Sequence, residues 1–481
     1  MPLRNLAWLL IVPALVLLGL AISFSAPAPD NDYKLVRQVV DVLAEVDANY
    51  YRELSEEDRQ KLVEDMINGG LHELDPHSEY LNERKLKEFK TSSEGSFGGV
   101  GIILGIDPDS HLLKVRNPMP GTPAYEAGAI ANDAIVKIDG EPFPALPEKY
   151  TDAAEKAQAE RAAIERARRQ ITGELNTRVT ITLRREGRIP AEFDIALTRS
   201  RIELHPVAGV ARRKEDPTRW EWFADPRNKI ALIRLKDTFN DLTTKELRVA
   251  LEEIEAAGAR SLIIDLRDNP GGLLNEAIEV TNAFLTDGQR IVSTRNRHGN
   301  ERTFSAKKEA SRFVPTPDNP RPMVVLINRH SASASEIVAS ALQDHHRAVV
   351  IGERSFGKGS VQKLLYLNQE KTSAVKLTTE TYWRPSGKNI HRRPDSKEAE
   401  EWGVRPDEGM EVPTTEAERL RYAWEMDRLE FVAGKPSAAG PNPPQPPPVL
   451  KGADSRPFID ESKPFEDRVL NKAIEVLRQK R

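Results

Sequence analysis

Cysteine is absent from the 481 residues. That excludes disulfides, thiol nucleophiles and Cys-ligated metal sites together, and leaves the redox compartment undecided. An excess of one charge is missing too. Lys and Arg number 70 against 74 Asp and Glu, a net charge of −4, so the basic footprint of a nucleic-acid binder is lacking and no nucleic acid is expected as a partner. The nine histidines form no recognisable triad signature, and neither a GxSxG elbow nor an HExxH helix occurs. Internal repeats are lacking, and nothing in the pattern calls for a metal or cofactor.

Long apolar runs are confined to one place. After Arg4, Leu6 to Phe24 carries no charge. Its length is close to the roughly 20 residues that span a bilayer and exceeds the roughly 7–15 of a secretory signal core. Pro13 would kink such a helix without forbidding it. The flank from Ser23 to Pro27 offers poor small-residue cleavage sites. The reading is an N-terminal membrane anchor, or a removed signal, over 1–29. Either one places the body in the cell envelope, outside the cytoplasm, and cleavage would leave it secreted.

Beyond that segment the texture changes three times. Residues 30–94 show helical spacing, with Ser55 as a plausible N-cap and breaks expected at Gly69-Gly70 and Asp75-Pro76. From about 95 to 200, short alternating or β-branched runs such as HLLKVRN, TRVTITLRR and AEFDIALTR read as strands. They are interrupted at 148–172 by a charged, Ala-rich helix that reads as a solvated surface helix without a heptad seam. Over 201–415, strands (KIALIRL, SLIIDLR, PMVVLIN, RAVVIG) alternate with helices. That alternation predicts an α/β core of βαβ units around a largely parallel, mixed sheet. The stretch 416–481 reads as a tail with a Pro-rich linker and a terminal helix.

Two segments could carry chemistry. Between Asn328 and Asp344 a strand runs through a small-residue turn holding Ser331, Ser333 and Ser335 into a helix. Such a turn exposes a hydroxyl beside free helix N–H groups that can meet a developing oxyanion. Ser333 with Glu336 equally fits a helix-capping pair. A serine needs a base, and a neutral lysine can be one when burial lowers its pKa from about 10.4. Lys358 lies between Gly357 and Gly359, where missing Cβ atoms let the backbone approach a neighbour closely. A plain turn lysine has the same local pattern.

Taken together, SASASEI, ALQD and FGKG with Gln362 after it closely resemble the carboxy-terminal processing peptidases, also called tail-specific proteases. The resemblance implies that Ser333 is the nucleophile, Lys358 its general base and Gln362 a residue orienting the lysine. The 25-residue spacing from serine to lysine fits it. LIIDLRDNPGGLL resembles the family's oxyanion turn. One N–H would come from Gly271 or Gly272 and the other from Ala334. GSFGGVGIILGI followed by GTPAYEAG resembles a PDZ domain. Gly99, Val100, Gly101 and Ile102 are then the implied peptide-binding residues, taking an extended tail as an added strand.

DPHSEYL and LTTETYWRPSGKNI resemble family landmarks and are read as structural. Two features depart from the pattern: the helix at 148–172 and a long stretch from His391 to Trp402, neither expected to touch the Ser/Lys pair. The implied protein is a serine endopeptidase acting on proteins with apolar or unstructured C-termini. The pattern leaves room for a homo-oligomer or an adaptor partner. The rivals are a catalytically silent PDZ scaffold and a Ser/His/Asp protease with PDZ. The intact Ser333, Lys358 and Gln362 argue against the first. The second places its PDZ module after the core and needs a GNSGG string that is absent here.

Overall fold

The computed structural model describes residues 30–308, 313–316, 319–393, 395–435 and 464–480. The expected anchor at 1–29 and most of the Pro-rich linker lie outside the described residues. Among the described residues no helix is long and apolar enough to cross a membrane. The chain divides into a unit ending at Tyr80 and a unit beginning at Leu81.

The first unit holds helices α1 (Asp30–Asn49) and α2 (Glu56–Leu74). Ser55 caps α2 in a reciprocal pair with Asp58. Contrary to expectation, α2 runs straight through Gly69-Gly70 and ends only at Asp75. Both glycines face open space, so their cost is only conformational entropy, about 1 kcal/mol each relative to Ala. The Asp75 carboxylate accepts the backbone N–H groups of His77 and Ser78 and the Ser78 hydroxyl, which gives DPHS the structural role read for it. Helix α3 (Glu83–Glu94), grouped by sequence with these two, belongs to the second unit.

From α3 the chain enters a small β domain through a two-stranded stem, in which Ser96–Gly99 pairs antiparallel with Ser200–Glu203. Five longer strands follow: β1 (Ile102–Ile106), β2 (Leu113–Pro118), β3 (Ala134–Ile138), β4 (Arg178–Arg184) and β5 (Glu192–Thr198). They form an antiparallel sheet in the order β1-β2-β3-β4-β5, with β1 at one end. A single turn of helix, α4 (Pro123–Glu126), and the long α5 (Ala153–Ile171) complete it. Helix α5 corrects the sequence reading. Only its charged face is solvated. Ala163, Ala167 and Ile171, four residues apart, are buried in the domain core with Ile135, Ile181 and Leu183. Alanine gives a weak hydrophobic signal, yet at i, i+4 spacing it lets a helix lie close to a sheet.

The peptidase core is built on β6 (Ile230–Leu235), α6 (Thr243–Ala256), β7 (Ser261–Asp265), α7 (Leu274–Asn282), β8 (Arg290–Asn296) and β9 (Glu301–Ser305). It continues through β10 (Met323–Ile327), α8 (Ala334–Asp344), β11 (Val349–Gly352), β12 (Ser360–Tyr366) and β13 (Ala374–Trp383). Strands β6, β7, β10 and β11 are parallel neighbours in that order. Antiparallel pairing of Val207–Ala208 and Phe223–Asp225 with β6 makes the sheet mixed, as expected. Every residue of β6, β7 and β10 is buried, the signature of strands covered on both faces.

Right-handed crossovers that always step in one direction put their helices on one face. Ala231, Ile233, Leu262, Ile264, Val325 and Ile327 accordingly share a core with α6, α7 and α8. The alternate residues, Ile230, Leu232, Ile263, Val324 and Leu326, meet Val469, Ala473, Val476 and Leu477 of the terminal helix α10 (Arg468–Gln479). The terminal helix is therefore a layer of the core rather than part of a tail. A further helix, α9 (Glu416–Glu430), falls in the same supposed tail. Arg267 draws these pieces together. It bonds Asp265 at the end of β7 and Asp467, the N-cap of α10, and lies over the Tyr422 ring of α9. A second, antiparallel sheet runs β9-β8-β13-β12.

Candidate active site

Strand β10 ends at Ile327 and helix α8 begins at Ala334. Ser331 closes the intervening turn: its hydroxyl donates to the Leu266 carbonyl, and the Asn328 N–H donates to it. Ser335 donates to the carbonyl and side-chain oxygens of Asn269. These two serines knit the turn to the DNPGG loop. Ser333 sits between them with φ 53° and ψ −111°, a conformation that costs a residue with a Cβ about 1–3 kcal/mol. It is 7% exposed. Its hydroxyl shares a hydrogen bond with the hydroxyl of Tyr382 on β13, whose own ionisation burial pushes up to about 12 and that bond moderates.

Helix α8 is buried from Ala334 to Leu342. Within this apolar stretch Glu336 is fully buried. Its Oε2 accepts the N–H of Ser333 at 2.7 Å, so the capping reading of Ser333 and Glu336 holds. The same oxygen accepts the N–H of Lys358 at 2.8 Å. The two backbone nitrogens therefore lie at most about 5.5 Å apart, the two bonds end to end. In this way the structure brings Ser333 and Lys358 together across 25 residues of chain.

The glycines beside Lys358 are used as anticipated. A Cβ on Gly357 would fall 2.7 Å from the Arg392 Cβ, and one on Gly359 would fall 2.2 Å from the His391 backbone nitrogen. Two bonds fasten the loop, from the Arg392 N–H to the Gly357 carbonyl at 2.8 Å and from the Tyr382 N–H to the Gly359 carbonyl at 2.7 Å. The stretch from His391 to Trp402, expected to stay clear of the pair, thus packs directly on the lysine's neighbours. Lys358 itself is half-buried. Gln362 is placed on β12, where its amide nitrogen donates to Ser360 and Thr378 and ties it to its own hairpin.

The Gly271-Gly272 turn also lies against the serine. A Cβ on Gly271 would come within 2.7 Å of the Ser333 Cβ and 2.9 Å of the Ala334 nitrogen. Only glycine, here at φ +101°, permits that approach. The Gly271 N–H donates to Asn269 Oδ1 at 2.9 Å, and its carbonyl accepts from the Phe239 N–H and the Thr238 hydroxyl. In a trans peptide the C=O and the following N–H point opposite ways, so the Gly272 N–H faces away from Thr238 and Phe239. Ala334 is the first residue of α8, where helix geometry leaves N–H groups without intrahelical acceptors.

In the small domain, Gly99 closes the stem and Val100 is fully buried. The Val100 carbonyl accepts from the Ala124 N–H, and the Gly101 carbonyl from the Met119 N–H. By the same peptide geometry the Gly101 and Ile102 N–H groups face away from that turn. A Cβ on Gly101 would fall 2.2 Å from Thr122 Oγ1. Ile102 opens β1, which pairs with β2 on one side and ends the sheet.

Two residues at the site were not singled out by sequence. Glu336 was read only as a capping partner, and Tyr382 as part of a structural landmark. Arg384 in that landmark is structural, bonding Asp344 at the end of α8 at 2.5 Å. No group of acidic or histidine side chains able to hold a metal occurs among the described residues.

A serine on a strained strand-to-helix turn, fixed beside a lysine loop and a glycine turn in an α/β core, defines a serine-type peptidase. Comparison with known proteins agrees. The model of peptidase family S41 matches residues 229–409. The carboxy-terminal-processing protease of Bartonella bacilliformis is 35% identical over 470 residues, 96% of this chain and 92% of the relative. The carboxyl-terminal-processing protease of a Synechocystis strain is 33% identical over 340 residues, 70% and 68% of the two chains. Among solved structures, the photosystem II D1 C-terminal processing protease is similar at 26% identity and a TM-score of 0.39, covering 78% of this chain and 87% of that one. The chain belongs to the carboxy-terminal-processing proteases of peptidase family S41.

Proposed function

We propose that this serine peptidase cleaves proteins near their C-termini through a Ser333/Lys358 dyad. The observation that carries the reading is the strained Ser333 backbone at the head of a buried helix, held by the same carboxylate oxygen as the lysine. Neutral Lys358 takes the Ser333 hydroxyl proton as Oγ attacks the scissile carbonyl carbon. The oxyanion rests on the Ala334 N–H and on the glycine turn. Gly272 is the better donor there, because the Gly271 N–H is already held by Asn269. Collapse breaks the C–N bond, and Lys358 returns its proton to the leaving amine. Water then gives a proton to Lys358 as it attacks the acyl carbon, and collapse breaks the acyl C–Oγ bond while Lys358 returns that proton to Ser333 Oγ, restoring both residues. Gln362 is assigned to orienting the lysine.

The PDZ-like domain is proposed to recognise the substrate tail. Its support is the β1 edge, with the Gly101 and Ile102 N–H groups turned away from the α4 side and α5 packed against β1, where it is proposed to wall the site. An apolar tail would add as a strand beside β1, its carboxylate at the 99–102 loop. The uncharged run from Leu6 to Phe24 supports a catalytic body held outside the cytoplasm.

The test incubates the full chain, Ser333→Ala and Lys358→Ala with an unstructured protein ending in an apolar tail, read by mass spectrometry. Cleavage by the wild type alone is expected. Wild-type cleavage by Lys358→Ala would remove the base assignment. The rate should rise with pH as the lysine loses its proton, on a limb well below the roughly 10.4 of a free lysine. A limb at the free-lysine value would show that the amine is not held neutral.

A further inference from the structure

Glu336 makes more bonds than helix capping requires. The local cap needs only the Ser333 N–H, three residues away. The other donors come from 19 to 22 residues downstream: the Ser355 hydroxyl at 2.5 Å and the Gly357 N–H at 2.6 Å, both to Oε1, and the Lys358 N–H at 2.8 Å to Oε2. All four partners donate to it. A carboxylate satisfies them together, whereas a protonated carboxyl could direct its hydrogen only to the Ser355 hydroxyl, since the other three partners are N–H groups that cannot accept. Burial pushes Glu336 up to about 7, against the downward pull of those four hydrogen bonds.

A buried acid costs stability unless it is fully bonded. A helix cap placed in solvent would serve the local purpose more cheaply. What the buried carboxylate adds is a fixed separation between two loops that share no secondary structure. We infer that Glu336 is the positioning residue of the dyad, its single oxygen Oε2 setting the reach of Lys358 to Ser333 while Oε1 locks the lysine loop. This rests on the dyad reading above and goes beyond it by naming what holds the dyad in register.

The critical variant is Glu336→Gln, equal in size. An amide has one acceptor oxygen and one NH₂ donor. Whichever way it sits, one side of the network faces a donor, and either the lysine loop or the serine turn must shift. Misplacement of reacting groups by about 1 Å costs on the order of 10²-fold in rate. The expected result is kcat lower by about 10²-fold with KM changed less than about threefold. The rate of Ser333 labelling by a fluorophosphonate should fall in parallel, with circular dichroism unchanged. Ser355→Ala removes one donor to Oε1 and leaves Oε2 intact, so it should lower kcat several-fold, again without moving KM.

Wild-type kcat and labelling in folded Glu336→Gln would overturn the inference. So would a loss that appears wholly in KM. If Glu336→Gln fails to fold, Ser355→Ala decides: an unchanged kcat there overturns the inference. Ser333→Ala run alongside separates the two claims. If it cleaves like the wild type, the dyad reading has failed. If it is silent while Glu336→Gln keeps full activity, the positioning role alone has failed.

Discussion

Backbone strain at Ser333 makes a prediction that simple replacement of the proposed nucleophile would miss. Ser333→Ala and Ser333→Gly both remove the hydroxyl and its bond to Tyr382, so both should be inactive and the lost bond cancels between them. Alanine keeps a Cβ at φ 53° and ψ −111°, whereas glycine reaches positive φ without a steric penalty. The penalty removed is about 1–2 kcal/mol for a left-handed φ, rising to about 3 when ψ is also unfavourable. Glycine gives back about 0.4–1 kcal/mol through the greater freedom of its unfolded chain. At an N-cap glycine is also tolerated better than alanine, which adds about 0.5–1 kcal/mol in the same direction as the strain and roughly offsets that entropy.

Ser333→Gly should therefore be more stable than Ser333→Ala by about 0.5–3 kcal/mol. Urea unfolding followed by tryptophan fluorescence measures this, because the buried Trp222 and Trp402 report on the peptidase core. The shift must appear in the midpoint with the slope unchanged. Equal midpoints, or a less stable glycine variant, would refute the reasoning. Residue 333 would then be an unstrained cap, and the energy ascribed to holding the nucleophile would be absent.

Two further perturbations address the lysine loop and the small domain. In Gly359→Ala the new Cβ would lie 2.2 Å from the His391 nitrogen and 2.6 Å from its Cα. Backbone cannot yield as a side chain can, so the Lys358 loop must move, and kcat should fall by about 10²-fold; wild-type turnover would show that the contact does not position the lysine. Ala167→Glu places a carboxylate at a fully buried position on α5, at a cost of at least about 2 kcal/mol to the small domain. Binding of an apolar tail peptide, followed by fluorescence anisotropy, should be lost while fluorophosphonate still labels Ser333. Retained binding would show that α5 is no wall of the peptide site.

The parallel strands were legible in sequence because each is short, apolar and flanked by turn residues, and because helical periodicity separates them. The crossover rule then arranges them almost without choice. Helix α5 was visible as a helix and misplaced as a surface one. An alanine stripe carries little hydrophobic signal, and only the sheet opposite shows that Ala163, Ala167 and Ile171 face inward. The terminal helix was hidden differently. Val469, Ala473, Val476 and Leu477 form an evident apolar stripe, but a proline-rich segment precedes it, and sequence cannot say what a stripe beyond a linker packs on. The answer lies in the sheet, whose strands are apolar on both faces while their crossover helices cover only one.

At the candidate site, the strings that carry the proposed residues were legible and the bonds between them were not. Ser333 and Lys358 stand in long, specific strings, so resemblance finds them. Glu336 has the same letters as a capping box, and that pattern accounts fully for its bond to Ser333. The only sequence hint of a second role is an acid in a helix otherwise made of small and apolar residues, SASEIVASAL. Its other three donors come from a loop that sequence cannot place against the helix, because two are backbone N–H groups, and backbone groups have no letter. The same limit applies to the two turn glycines, which sequence left equivalent. A hydrogen bond from the Gly271 N–H to Asn269, invisible in the string DNPGG, distinguishes them. The geometry of the proposed dyad is thus written largely in main-chain donors, and a glutamate that collects them is where side-chain chemistry can still be altered to test it.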